Sequence, residues 1–216
     1  MKIKTIDKLY DLIAKDLAWR KKELIELKLL IHDTKNPLYL RAGLALLSAH
    51  FEGFVKQIAN YYVVFVSTQK IPFLLLKPGF SAIYSKKKMQ ICAESKKTST
   101  YSEFLTSLLT DYNGSIFCVK YANDSPIIKT NSNPSSDVFE DIVCTIGLDF
   151  SIYETKRNYI DTDLLSNRHK IVHGEKTSIS ISDFDQTFEQ TMMIIERFQE
   201  QIINAAIHKD YLKIID

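Results

Sequence analysis

The stretch Asn167-Arg168-His169-Lys170-Ile171-Val172-His173-Gly174-Glu175 holds the residue types that cleavage of RNA without a metal requires. The 2′-OH must lose a proton, the charge on the phosphorane must be stabilised, and the departing 5′-oxygen must gain a proton. An arginine presents a planar fork of N–H donors to a phosphate and stays charged. A histidine exchanges protons near neutrality. Arg168 is therefore the candidate for holding the scissile phosphate, and His173 the candidate for proton transfer. His169 could orient His173 or touch phosphate, with Asn167 in support. The product of this route is a 2′,3′-cyclic phosphate, and DNA, lacking the 2′-OH, is no substrate for it.

Spacing constrains how these groups meet. At about 100° per residue, positions 168 and 173 lie roughly 140° apart on a helix, while His169 and His173 share a face. Gly174 ends the helix near His173, so the direction of His173 could depart from the ideal one, or a second subunit could supply the complementary group. The His169/His173 pair raises metal binding as a rival. No H-E-x-x-H pattern is present, because Lys170 and Ile171 follow His169, and no further ligand cluster accompanies the pair; no metal or other cofactor is expected. The bland reading is that Arg168 caps a carboxylate such as Glu52 or Asp163, and that His173 merely ends a helix. Glu52 itself interrupts an apolar helix. It is either the buried partner that fixes Arg168 or an exposed residue on the rim.

The elements that must position these groups read as helices. Only 6 Gly and 5 Pro in 216 residues argue against a turn-rich β protein, and the absence of a linker-like stretch favours one domain over 1–216. A net charge of +2 does not by itself imply nucleic-acid binding, so any basic surface must be local. Cys92, Cys118 and Cys144 are odd in number and fit a reducing cytoplasm. The N-terminus has no apolar signal core, and the longest apolar run, Tyr61–Val66, is far too short to span a membrane.

Apolar residues at three- and four-residue steps predict a helix from Thr5 to about His32, with Trp19-Arg20-Lys21-Lys22-Glu23 on its more polar side. Asn36-Pro37 starts a second helix that runs to about Ser67 and is apolar almost all round. His50 reads as a packing or rim residue there. His32 and His208 sit at helix ends, where a cation is favourable.

Residues 69–133 look irregular, with a short helix over Ser102–Tyr112 ended at Asn113-Gly114. Two short strands, Ile116–Tyr121 and Ser125–Lys129, follow around Ala122-Asn123-Asp124. Ser85-Lys86-Lys87-Lys88 and Lys96-Lys97 read first as solvated loop, and Lys86, Lys87 and Lys88 are candidate RNA contacts. A turn at Asn131-Ser132-Asn133-Pro134 precedes a helix capped by Ser136 and stopped by Gly147. Another helix covers Asp161 to Val172, and a last one starts near Ser182 with a capping-box pattern, Ser182-Asp183-Phe184-Asp185.

On these residues the chain resembles the HEPN superfamily, whose signature is an Arg, a polar residue and a His four to six positions after the Arg. Arg168-His169-Lys170-Ile171-Val172-His173 fits it. Leu47-Ser48-Ala49-His50-Phe51-Glu52-Gly53-Phe54-Val55-Lys56, the early Trp19-Arg20 element, and Lys129-Thr130-Asn131-Ser132-Asn133 ahead of the helix ending at Gly147-Leu148 extend the resemblance to the MAE-type and RiboL-PSP-type branches. The resemblance implies an all-α bundle that dimerises, with the two signatures facing each other in a composite cleft. It further implies metal-independent RNA cleavage, in toxin–antitoxin or anti-phage systems, with an antitoxin or defence protein as partner. The alternative is a non-catalytic module that binds nucleic acid or a protein through the same surface. Some family toxins carry a tyrosine two residues after the histidine, where a partner enzyme modifies it. Here that position is Glu175, so neutralisation by that route is not expected.

Overall fold

Thr5 opens the first helix, α1 (Ile6–Thr34), by accepting a hydrogen bond from the Lys8 amide at 3.2 Å. Lys35 closes it in the left-handed conformation, its amide donating to the Ile31 carbonyl. The chain turns at once into α2 (Pro37–Thr68), where Asn36 is the cap and Pro37 takes the first turn, a position that needs no N–H donor. In this computed structural model residues 1–112, 114–122, 125–130 and 135–214 are described.

Helix α2 is buried along nearly its whole length, from Leu40 to Ser67, as a helix apolar on all sides must be. It packs against α1 and against the last helix, α7 (Ile181–His208), which also touches α1. The shared core joins Leu9 and Ile13 of α1, Phe51, Phe54, Ile58 and Tyr62 of α2, and Ile195, Phe198 and Ile202 of α7. A chain of tilted and edge-on rings, Phe51, Phe139, Phe150, Tyr153 and Phe198, extends that core under α5 (Ser136–Thr145). No sheet forms among the described residues, and the fold is all-α. No helix among them is long and apolar enough to cross a membrane.

The middle of the chain is more regular than its sequence suggests. It forms α3 (Pro78–Glu94) and α4 (Thr98–Tyr112), which pack on each other, with α3 also on α5. Ser85-Lys86-Lys87-Lys88 lies inside α3 and is not a loop: Ser81 and Ser85 turn inward and Lys86 and Lys87 outward. Gly79 is required at the start of α3, because a Cβ there would sit 1.9 Å from the Thr145 carbonyl oxygen.

The two expected strands do not form. Phe117 and Val119 donate their amides to Ile71 O and Ser67 Oγ, and the amides of Ile127 and Ile128 are held by the buried Asn60 carboxamide. The Ser67 and Asn60 side chains of α2, with the Ile71 carbonyl, thus substitute for a neighbouring strand. Only isolated bridges remain, Pro72 with Ile116 and Ala122 with Ser125. The turns expected at Asn113, Asn123-Asp124 and Asn131-Ser132-Asn133-Pro134 lie outside the described residues.

Three boundaries shift by one or two residues. Ser135, not Ser136, caps α5, since Ser136 instead bonds Asp161 through its amide and hydroxyl. Ser180, not Ser182, forms the capping box of α7, with Asp183 as its partner. The helix expected from Asp161 begins at Tyr159 as a π-helical segment (Tyr159–Ser166) and passes into the short α6 (Asn167–Val172).

Candidate active site

The Arg…His stretch lies on α6, which rests on α2 and on the π-helical segment before it. Its end is built by the expected glycine. Gly174 adopts φ +77°, a left-handed conformation that side chains disfavour, and the Glu175 amide donates back to Lys170 O at 2.9 Å. Arg41 of α2 ties the same turn down by donating to the Glu175 carbonyl at 3.1 Å. His173 is the last residue before the turn, and its amide donates to His169 O.

His169 and His173 are both exposed, and their rings lie 4.2 Å apart between centroids. Arg168 and Asn167 are half-buried on the two flanks of the helix. The α-helical geometry holds over 168–172, so Arg168 and His173 diverge by roughly 140° on one chain, and the turn at Gly174 follows His173 without redirecting it. Asn167 donates from Nδ2 to the Asp163 carbonyl at 2.9 Å.

Glu52 is half-buried on α2. Its carboxylate accepts from the Thr130 hydroxyl at 2.5 Å, the partner it takes among the described residues. Its role in the structure is to hold the segment ahead of α5 against α2. Among the three lysines, Lys86 and Lys87 are exposed. Lys88 instead turns to α4, where Nζ donates to Ser107 Oγ, and stacks over the Tyr84 ring. Among the described residues no three His, Cys, Asp or Glu side chains gather as a metal site.

A second polar cluster was misjudged from sequence. Arg20, read as lying on the polar side of α1, is 9% exposed. Its guanidinium donates to Asp16 at 2.7 Å and reaches the carbonyl and ring nitrogen of His50 at 3.4 Å. The Glu23 carboxylate stands 2.8 Å from His50 Nε2, an ion-pair distance without the alignment of a hydrogen bond. Trp19 packs edge-on to His50 and under Arg20. Gly53 makes room, since a Cβ there would lie 2.8 Å from Arg20 Nη1. Burial and the Arg20 charge pull the His50 pKa below its ordinary value, against the opposing pull of Glu23. The readable signal was Asp16 one helical turn before Arg20, together with Gly53 after His50 and Glu52 in α2.

A cavity of about 180 Å³ adjoins α6, lined by Leu44, Tyr159, Asp163, Asn167, Asp183 and Gln186 among others. The elements on which the resemblance was built are thus adjacent in space: Trp19-Arg20 meets His50 and Gly53, Thr130 meets Glu52, and α6 rests on α2. No curated protein and no solved structure matches the chain. The family model RiboL-PSP-HEPN matches residues 15–204, which spans every one of these elements, and the chain belongs to that family within the HEPN superfamily.

Proposed function

We propose that the protein is a metal-independent endoribonuclease that works as a homodimer. The observation that carries this is α6 itself: a ridge of two exposed, adjacent imidazoles with Arg168 on its flank, in a chain of the RiboL-PSP-HEPN family. In the reaction a 2′-OH attacks the neighbouring phosphorus and the P–O5′ bond breaks. The 2′ proton leaves to a base and the 5′-oxygen takes one up. His173 moves a proton, His169 holds or relays it, and Arg168 stabilises the charge on the phosphorane. Asn167 and Glu52 support the site through the backbone of the π-helical segment and the Thr130 contact, and Lys86 and Lys87 offer charge to the RNA chain. Because Arg168 and His173 diverge on one chain, their union across a two-fold axis is the arrangement that serves one phosphate. The biological setting that fits a ribonuclease of this family is a cytoplasmic toxin or anti-phage defence component with a protein partner.

The test is cleavage of a panel of single-stranded and structured RNAs in EDTA by the wild type, Arg168→Ala and His173→Ala. The expected result is EDTA-resistant cleavage leaving 2′,3′-cyclic phosphate, reduced at least about 100-fold in each variant. Wild-type binding of RNA without cleavage would instead favour the non-catalytic module, a reading that the divergence of Arg168 and His173 on one chain also supports.

A further inference from the structure

The cavity beside α6 has features of a site for one nucleobase. It holds about 180 Å³, room for a single ring system, and it opens on the flank of α6 that carries Asn167. Leu44 and Ile179 give it apolar surface. The Tyr159 hydroxyl is already spent on Thr187 O and Thr191 Oγ1, so that residue contributes its ring. Unspent polar capacity lies in the exposed Ser178 hydroxyl, which can donate or accept, and in four further side chains. Asp163 has one oxygen near Thr162 Oγ1 at 3.2 Å and the other without a bond. Asp183 uses one oxygen on the Ser180 amide. Asn167 keeps its carbonyl oxygen and one N–H, and the Gln186 amide, exposed at the rim, makes no hydrogen bond.

That inventory selects a base by its donors. Two carboxylates only accept, so they repel phosphate and suit an edge rich in N–H groups. Guanine alone among the four bases offers two adjacent donors on its Watson–Crick edge, N1–H and N2–H, which a carboxylate takes in parallel. Its O6 then needs a donor, and the amides of Asn167 and Gln186 line the same cavity. Such edges are open in single-stranded RNA, where unstacked bases are splayed into protein pockets.

We infer that this cavity is a guanine-binding subsite, with Asp163 accepting from the base and Asn167 and Gln186 donating to it. A guanosine held there stands on one flank of α6, and its phosphate crosses the His169/His173 ridge toward Arg168. The subsite would make the cleavage specific for phosphodiesters next to guanosine. Base recognition stands on the cavity alone; its role in choosing the cut rests on the ribonuclease reading above.

Calorimetric titration of the wild type with guanosine, adenosine, cytidine and uridine 3′-monophosphates tests the first part without any need for catalysis. Guanosine monophosphate should bind at least about tenfold more tightly than the other three, and Asp163→Asn and Gln186→Leu should each erase most of that margin. Asp163 and Gln186 are exposed, so both variants are expected to fold, which far-UV circular dichroism verifies. Equal binding of the four nucleotides, or a guanine preference that survives both substitutions, overturns the subsite. Sequencing of the cut ends then separates the two proposals. Guanine-selective binding without cleavage of any RNA keeps the subsite and removes the ribonuclease reading. Cleavage with no base preference at the cut and no selectivity in titration does the reverse.

Discussion

His50 shows what one buried imidazole does to the pH dependence of the whole fold. Burial and the Arg20 guanidinium hold its pKa below the ordinary 6.5, so the folded state keeps the ring neutral where the unfolded chain would protonate it. The resulting stability is present above about 6.5 and is lost as pH falls from there through the lower folded value. Urea unfolding should therefore show a lower midpoint at pH 5.5 than at pH 7.5, and His50→Gln should flatten the difference. An equal slope in that variant would assign the acid sensitivity to groups other than His50. At this scale the sequence was partly legible. The Arg168/His173 motif could be read because its residues are contiguous on a short exposed helix. The Arg20/His50 cluster could not, because its members are thirty residues apart and the charge on Arg20 argues for solvent until Gly53 and Asp16 are seen to enclose it. The partner of Glu52, left open between Arg168 and solvent by the sequence, was illegible for the same reason: the contact with Thr130 crosses 78 positions, with no local pattern to announce it.

Helices announce themselves by period and cap, and at the scale of elements the long ones were legible for that reason. Thr5, Asn36 and Pro37 each act where their chemistry predicts. The middle was not legible because α3 is weakly patterned and carries Ser81 and Ser85 on its buried side and lysines on its outer side. The strand-like segments around 116–121 and 125–129 have the alternation of strands, but Ser67 and Asn60 of α2 occupy the amides that a sheet would have used. The π-helical stretch had no signature in its sequence at all, since its apolar residues Ile160 and Leu164 suit an α-helix equally well. The turn after α6 was legible and is testable. Gly174 at φ +77° is in a conformation that costs a side-chain-bearing residue about 1–2 kcal/mol, least for asparagine. Gly174→Val should lose roughly that much in equilibrium unfolding, with Gly174→Asn between it and wild type. Since His173 immediately precedes the turn, Gly174→Val should also lower ribonuclease activity beyond what the stability loss explains. Wild-type activity in a folded Gly174→Val protein would mean that the placement of His173 is set by α2 contacts alone.

The proposed dimer yields an experiment at the scale of the whole molecule. A two-fold axis pairs the same patch of each chain, so two equivalent sites arise, each with Arg168 of one subunit and His173 of the other. Neither Arg168→Ala nor His173→Ala homodimers would keep an intact site. In the mixed dimer the outcome depends on where the partners lie. With the two groups contributed by different chains, the subunit carrying the alanine at 173 still lends its Arg168 to the subunit that retains His173. One site is then restored and the other is doubly defective. With both groups contributed by one chain, every site in the mixed dimer lacks one of them. Co-expression of the two variants under separate tags and purification through both should therefore recover about half of wild-type activity if the site is composite, and none beyond the single variants if it is not. The roughly 140° divergence along α6, and the anchoring of its turn by Arg41 and Gly174, favour the first outcome, because a group held on the far flank of a fixed helix reaches the same phosphate more readily from a second copy than from its own chain.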